Sequence, residues 1–140
     1  MIQPVREFPL PRPVDIAGLG VAADGKLWYL EKHGRFLVGV SPSAATWTDL
    51  PLPYGEQESG GLAVTRDGRA CVTCPPESHV TTMSLTSGQE TTWSLDRRLA
   101  PGHVAVDESA GVIWMIDRAG AQLLQLDTAS GKTDPLPLPA

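Results

Sequence analysis

Histidines, carboxylates and one Cys-x-x-Cys pair are the residues of this 140-residue chain that could do chemistry. The histidines are His33, His79 and His103. A histidine near a carboxylate can take a proton at neutral pH. Four carboxylates, Asp15, Glu31, Glu58 and Asp117, fall near segment ends, where they form an acidic rim. That rim reads as a hydrated acidic surface or, doubled by a second copy, as oxygen ligands for a cation. Cys71 and Cys74 are the only cysteines. Structural zinc needs four ligands, and no second pair exists. Redox cysteines sit at a helix N-terminus, which lowers their pKa. Arg69 to Cys74 reads instead as a strand, where residues three apart point to opposite faces. The expectation is two reduced thiols. No Ser-His-Asp spacing, phosphate loop or metal-ligand string stands out, and no metal site is assigned.

The elements that must position these groups repeat. Trp28, Cys71 and Trp114 are spaced 43 residues apart, as are Glu31, Cys74 and Asp117, and then Leu52, Leu95 and Leu138. Ala45, Gly88 and Gly131 follow the same rule. A fixed period over so many landmarks defines a repeat architecture. Each copy holds four short segments rich in β-branched and aromatic residues, which read as strands. They are 18–22, 26–30, 36–40 and 47–52 in the first copy, and 61–65, 69–73, 80–85 and 90–95 in the second. The third has 103–107, 112–116, 122–127 and 133–138. Asp24-Gly25 and Asp67-Gly68 mark two-residue hairpins. Four-stranded antiparallel units of this length are β-propeller blades. The chain is therefore expected to be all-β, a single half-propeller domain over 1–140 with blades at 18–53, 61–95 and 102–138. Glu7 to Pro11 repeats the fourth-strand sequence, so an orphan outer strand is expected over 5–11. Trp28 and Trp114 belong to blade cores, and Trp47 and Trp93 to packing between blades.

Three blades leave two open flanks, each a whole apolar blade face, and propellers close with four to eight blades. Two chains joined head to tail twice would close a six-bladed ring. A homodimer is the expected assembly, with a piece of a longer propeller as the second possibility.

Composition excludes several classes. Net charge is −5, and the 11 Lys and Arg are scattered. A nucleic-acid groove needs them clustered. Apolar runs are strand-length, too short to span a bilayer. No basic start followed by an apolar run opens the sequence, so the expected location is cytoplasmic.

Gly18 to Glu31 reads Gly-Leu-x-Val-Ala-x-Asp-Gly-Lys-Leu-Trp-Tyr-Leu-Glu, and Glu7 to Pro11 reads Glu-Phe-Pro-Leu-Pro. Both resemble the streptogramin lyase (virginiamycin B lyase) repeat, a seven-bladed propeller family; the related NHL-type propellers have six blades and mostly bind partners. The resemblance covers essentially the whole chain and is close only in the first blade. It implies an Mg²⁺-dependent elimination that opens a cyclic ester antibiotic, a C–O lyase reaction. Its histidines precede the first strand of two adjacent blades, with a Glu two residues ahead of one and another Glu ending the second strand. The start of one antiparallel strand lies beside the end of the next, so these groups meet at one mouth of the ring. Here the histidine positions carry Ala17, Gly60 and Gly102, the preceding position Asp15, Glu58 and Ala100, and the strand end Glu31, Cys74 and Asp117. The proton-abstracting base is missing. His103 is one place late, at the mouth beside Asp117, and is the best surviving candidate, with His33 second. If catalysis remains, His103, Glu31 and Asp117 carry it. If not, Asp15, Ala17, Glu58, Gly60, Cys74, Gly102 and His33 line a site for a small molecule or peptide. The expected function is a propeller ligand-binding or interaction module; the alternative is a streptogramin B lyase-like enzyme.

Overall fold

In a computed structural model, residues 7, 9–43, 46–137 and 139 are described. They form three four-stranded antiparallel sheets, each in the simple order of the chain. The first holds β1 (Ile16–Val21), β2 (Leu27–Glu31), β3 (Phe36–Ser41) and β4 (Thr46–Pro51). The second holds β5 (Gly61–Val64), β6 (Arg69–Cys74), β7 (His79–Ser84) and β8 (Glu90–Ser94). The third holds β9 (Pro101–Asp107), β10 (Val112–Asp117), β11 (Gln122–Asp127) and β12 (Thr133–Pro137). All twelve expected strands are present, displaced by two residues at most. A 3-10 turn at Pro75–Glu77 is the addition, placed where prolines remove two backbone donors. No helix among the described residues is long and apolar enough to cross a membrane.

The hairpins differ from expectation in one respect. Ala22 N–H bonds Lys26 O at 2.9 Å, so three residues, not two, turn the first hairpin. Gly25 takes φ +85°. This is a turn followed by a left-handed glycine, the three-residue alternative to the two-residue loop. Asp67-Gly68 repeats it, with Thr65 N–H on Arg69 O at 2.8 Å and Gly68 at φ +85°.

The sheets pack face to face as consecutive blades, with the inner strands β1, β5 and β9 side by side. Period-two alternation gives each blade two apolar faces. Trp28, Leu30 and Leu37 of the first blade bury against Ala70, Val72 and Met83 of the second. Cys71 and Val80 on the other side of the second blade bury against Ile113, Met115, Leu124 and Leu126 of the third. Linker residues complete both seams, Leu52 and Tyr54 in one, Leu95 and Leu99 in the other. The outer face of the first blade is less bare than expected. Tyr29, Val38 and Val40 are buried there, with Val14 packed on them. Arg12 lies over the Phe36 ring at 5.0 Å on the same side. Trp114, expected in a blade core, is only partly buried, because no sheet of the described residues packs on its side of the third blade. Residues 5, 6 and 8 of the outer strand expected at 5–11 fall outside the described residues, as do Ala45 and Leu138; Glu7 and Pro9 to Pro11 belong to no strand.

Candidate functional site at the mouth

The first residues of β1, β5 and β9 and the last residues of β2, β6 and β10 lie together at one end of the blades. Ile16 pairs with Glu31, and Pro101 with Asp117. In the second blade Gly60 N–H bonds Thr73 O at 2.8 Å. Register shifts occur at Ala17 in β1 and at Gly102–His103 in β9. Bulges of this kind re-aim side chains.

The strand-end carboxylates are buried within turns, not displayed on an acidic rim; Glu31 and Asp117 are each 1% exposed. One Asp117 oxygen accepts Ala100 N–H at 2.9 Å and Ala119 N–H at 3.0 Å. The other accepts Gly120 N–H and the Gln122 amide, both at 3.0 Å. Burial opposes the charge, yet the Ala100 N–H, the Gln122 amide and the two turn N–H groups outweigh it, and the carboxyl lies below its ordinary pKa. Glu31 works similarly: Oε1 accepts Phe36 N–H at 3.2 Å and Oε2 accepts Arg12 Nε–H at 2.8 Å. Gly120 lies so close over Asp117 that a Cβ would fall 2.5 Å from its Oδ2, and Gly34 covers Glu31 in the same way. The carboxylate and the glycine three residues on therefore form one device, a clamp on the turn. The oxygens of Asp117 are fully engaged by donors, so this donor set does not fit Mg²⁺, which binds through free carboxylate oxygens and water.

Cys74 occupies the same position in the second blade and is fully buried, so its thiol does not reach the mouth. Burial pushes Cys71 up to about 12 and Cys74 up to about 11. Both are free thiols. A thiol-labelling reagent is expected to leave both untouched in the folded protein and to modify both after denaturation, because only thiolate reacts.

The positions at which a histidine would precede the inner strand are filled. A Cβ at Gly60 would lie 2.6 Å from Pro101 O and 2.6 Å from Thr73 Oγ1. At Gly102 it would lie 2.8 Å from Arg118 Nε. Ala17 packs on the core between the first two blades. Thr73 Oγ–H also donates to Gly102 O at 2.7 Å, tying the second and third blades together at the mouth.

Polar groups that remain accessible lie beside this seam. Arg118 Nη1 donates to Glu58 Oε1 at 2.8 Å, and Nη2 to Gly60 O at 3.4 Å. The Arg118 bond, with the charges of Arg118, Lys32 and His33, holds Glu58 below the usual carboxylate range. The pair is about 42% and 33% exposed, so it adds little stability and remains free to exchange partners. His33 is exposed in the β2–β3 turn and Asp15 at the edge of the first blade. His103 is exposed on the side of β9 away from the second blade, and His79 pairs with Cys74 at the start of β7, away from the cluster. The structure thus brings Glu58 and His33 together and leaves His103 apart from them. Sequence reasoning missed Lys32 and Arg118. Their signal was available: they directly follow Glu31 and Asp117, two repeats apart, with Pro75 between. Next to Arg118, a groove of about 510 Å³ runs from the turn at Asp117, Ala119 and Gly120 between Asp96–Leu99 and the outer strands of the third blade.

This is a β-propeller blade set, and its fold is that of the streptogramin lyases. A streptogramin B lyase structure superposes with a TM-score of 0.80 at 20% identity, over 96% of this chain and 44% of that one. Virginiamycin B lyase from Staphylococcus aureus gives 0.79 at 17%, over 96% and 45%. The WD40 repeats of RRP9, another propeller, give 0.75 at 13%, over 92% and 40%. The chain thus spans less than half the length of these proteins. No protein-family model matches the sequence, and no curated protein matches it.

Proposed function

We propose that this chain is a non-catalytic propeller module that binds a small polar molecule or peptide at its mouth. The observation that carries this reading is the closed seam at Gly60. The backbone of Pro101 occupies the space a general base would need, and the neighbouring carboxylate Asp117 is spent on backbone N–H groups. A base must stand within hydrogen-bond reach of the proton it removes, and neither group is free to do so. The half-exposed Glu58–Arg118 pair, with Lys32 and His33, supplies donors and an acceptor for a ligand carrying both signs of charge.

The lyase alternative draws on the shared fold and on His103. Incubation with a streptogramin B antibiotic and Mg²⁺ separates the two readings. The antibiotic is expected to be recovered intact by mass spectrometry. Ring opening that disappears in His103→Ala would replace the binding reading with the enzymatic one. For binding, short zwitterionic peptides are expected to shift the NMR signals of Lys32, His33 and Arg118. Glu58→Gln with Arg118→Ala should weaken that response about tenfold. Unchanged spectra with a panel of such peptides would remove the mouth as their site.

A further inference from the structure

We propose that a second copy of this chain covers both open flanks, joining head to tail twice into a six-bladed ring. The inference stands apart from the binding reading, since it rests on the faces of the blades and not on the mouth.

The repeat shows what each flank is built to meet. Trp28, Leu30 and Leu37 face the second blade, and each is at most 2% exposed. Their equivalents Cys71, Thr73 and Val80 face the third blade and are fully buried. The next equivalents, Trp114, Ile116 and Leu123, are only partly buried, and Leu136 beside Leu123 is 45% exposed. This flank is therefore the donor half of a seam already formed twice in the chain.

The other flank is the receiving half. In the first seam Leu62 and Val64 press onto Gly18 and Gly20, so closely that a Cβ at either glycine would fall under 3 Å from them. Val104 and Val106 enter the second seam beside Ala63. The equivalents on the first blade, Leu19 and Val21, are 69% and 60% exposed. The outer half of that flank is already furnished. Val14 covers Tyr29, Val38 and Val40, as linker residues Leu52 and Leu95 do in the internal seams.

A donor face and a receiving face on one chain cannot meet each other across three blades. One contact between copies would leave one of each exposed, and a second contact closes the set. Six blades lie within the range at which propellers close. The flanks differ in shape, so they do not suit a symmetric face-to-face pair. Ala105 supplies the small residue opposite the incoming Val21. His103 stands where the internal seams have Gly18 and Gly61. The junction between copies is accordingly wider at its mouth end than the seams inside the chain, with His103 of one copy facing Ala17 to Leu19 of the other, as Gly61 faces Gly102 to Val104 within the chain.

Sedimentation of the 140-residue chain at micromolar concentration tests this. The expected species has twice the chain mass. Leu19→Glu and Leu136→Glu, both at exposed positions, should each give folded monomers by circular dichroism, with association weakened at least tenfold. Mixed in equal amounts they should recover a dimer, because one of its two junctions is then free of substitutions. Val21→Glu repeats the first arm should Leu19→Glu fail to fold. A monomeric unaltered chain would overturn the proposal in favour of further blades of a longer chain. A variant that stays dimeric, or a mixture that stays monomeric, would overturn the head-to-tail arrangement.

Discussion

Asp117→Ala is expected to destabilise the protein by about 3 kcal/mol, because it leaves buried donors without an acceptor. The carboxylate receives backbone N–H groups from both sides: Ala100 from the linker entering the third blade, and Ala119 and Gly120 from the turn leaving β10. Removing it frees the turn and the linker together. Thermal unfolding should fall by roughly 10 °C for a domain of this size. Asp117→Asn separates charge from shape. Its carbonyl oxygen can still serve Ala100 and Ala119, but its NH₂ then faces the Gly120 N–H, so an intermediate loss is expected. The pH dependence has a definite sign. The folded carboxyl titrates below its ordinary value, so its contribution is present at neutral pH. It is lost as pH falls through the lowered folded value. The wild-type protein should therefore lose stability on acidification more steeply than Asp117→Asn. Equal acid limbs for the two proteins in urea titrations at several pH values would contradict the clamp.

Gly60→His, the substitution that puts a histidine where the lyase resemblance expects one, should yield a poorly folded protein and no activity. Even Gly60→Ala places a Cβ 2.6 Å from Pro101 O and 2.6 Å from Thr73 Oγ1. One of those atoms is backbone, which cannot swing aside, so overpacking should cost about 2–3 kcal/mol for alanine and more for histidine. The damage should be read as a lowered unfolding midpoint in denaturant and as lost hydrogen-exchange protection at Thr73 and Gly102. Gly102→Ala is the control. It meets mainly Arg118, a long side chain that can shift, so a smaller loss is expected. A Gly60→Ala protein as stable as wild type would show that the blades can part at the mouth, and would reopen the case for a base there.

The two substitutions mark the boundary between what the order of residues reveals and what assembly adds. The 43-residue period, the alternation along each segment and the Asp-Gly and Ser-Gly turns are local signals. They led to twelve strands and three blades because strand pairing between neighbours needs little more than a short turn and a period of two. The Cys-x-x-Cys pair was legible for the same reason, since a strand sends residues three apart to opposite faces.

The mouth was not legible in that way. Glu31 and Asp117 look like reagents in the sequence, and only folding shows their oxygens filled by the turns they clamp. Gly60 looks like a vacancy and is a point of contact with a strand some forty residues away. Arg118 finds Glu58, sixty positions earlier in the chain, across the seam between the second and third blades. The sequence by itself determined the repeat, its strands and the absence of histidine from the family's positions, all of which depend on residues close along the chain. The tertiary structure alone decided which polar groups are spent and which are free, because that depends on which backbone N–H and C=O groups from distant blades arrive beside them.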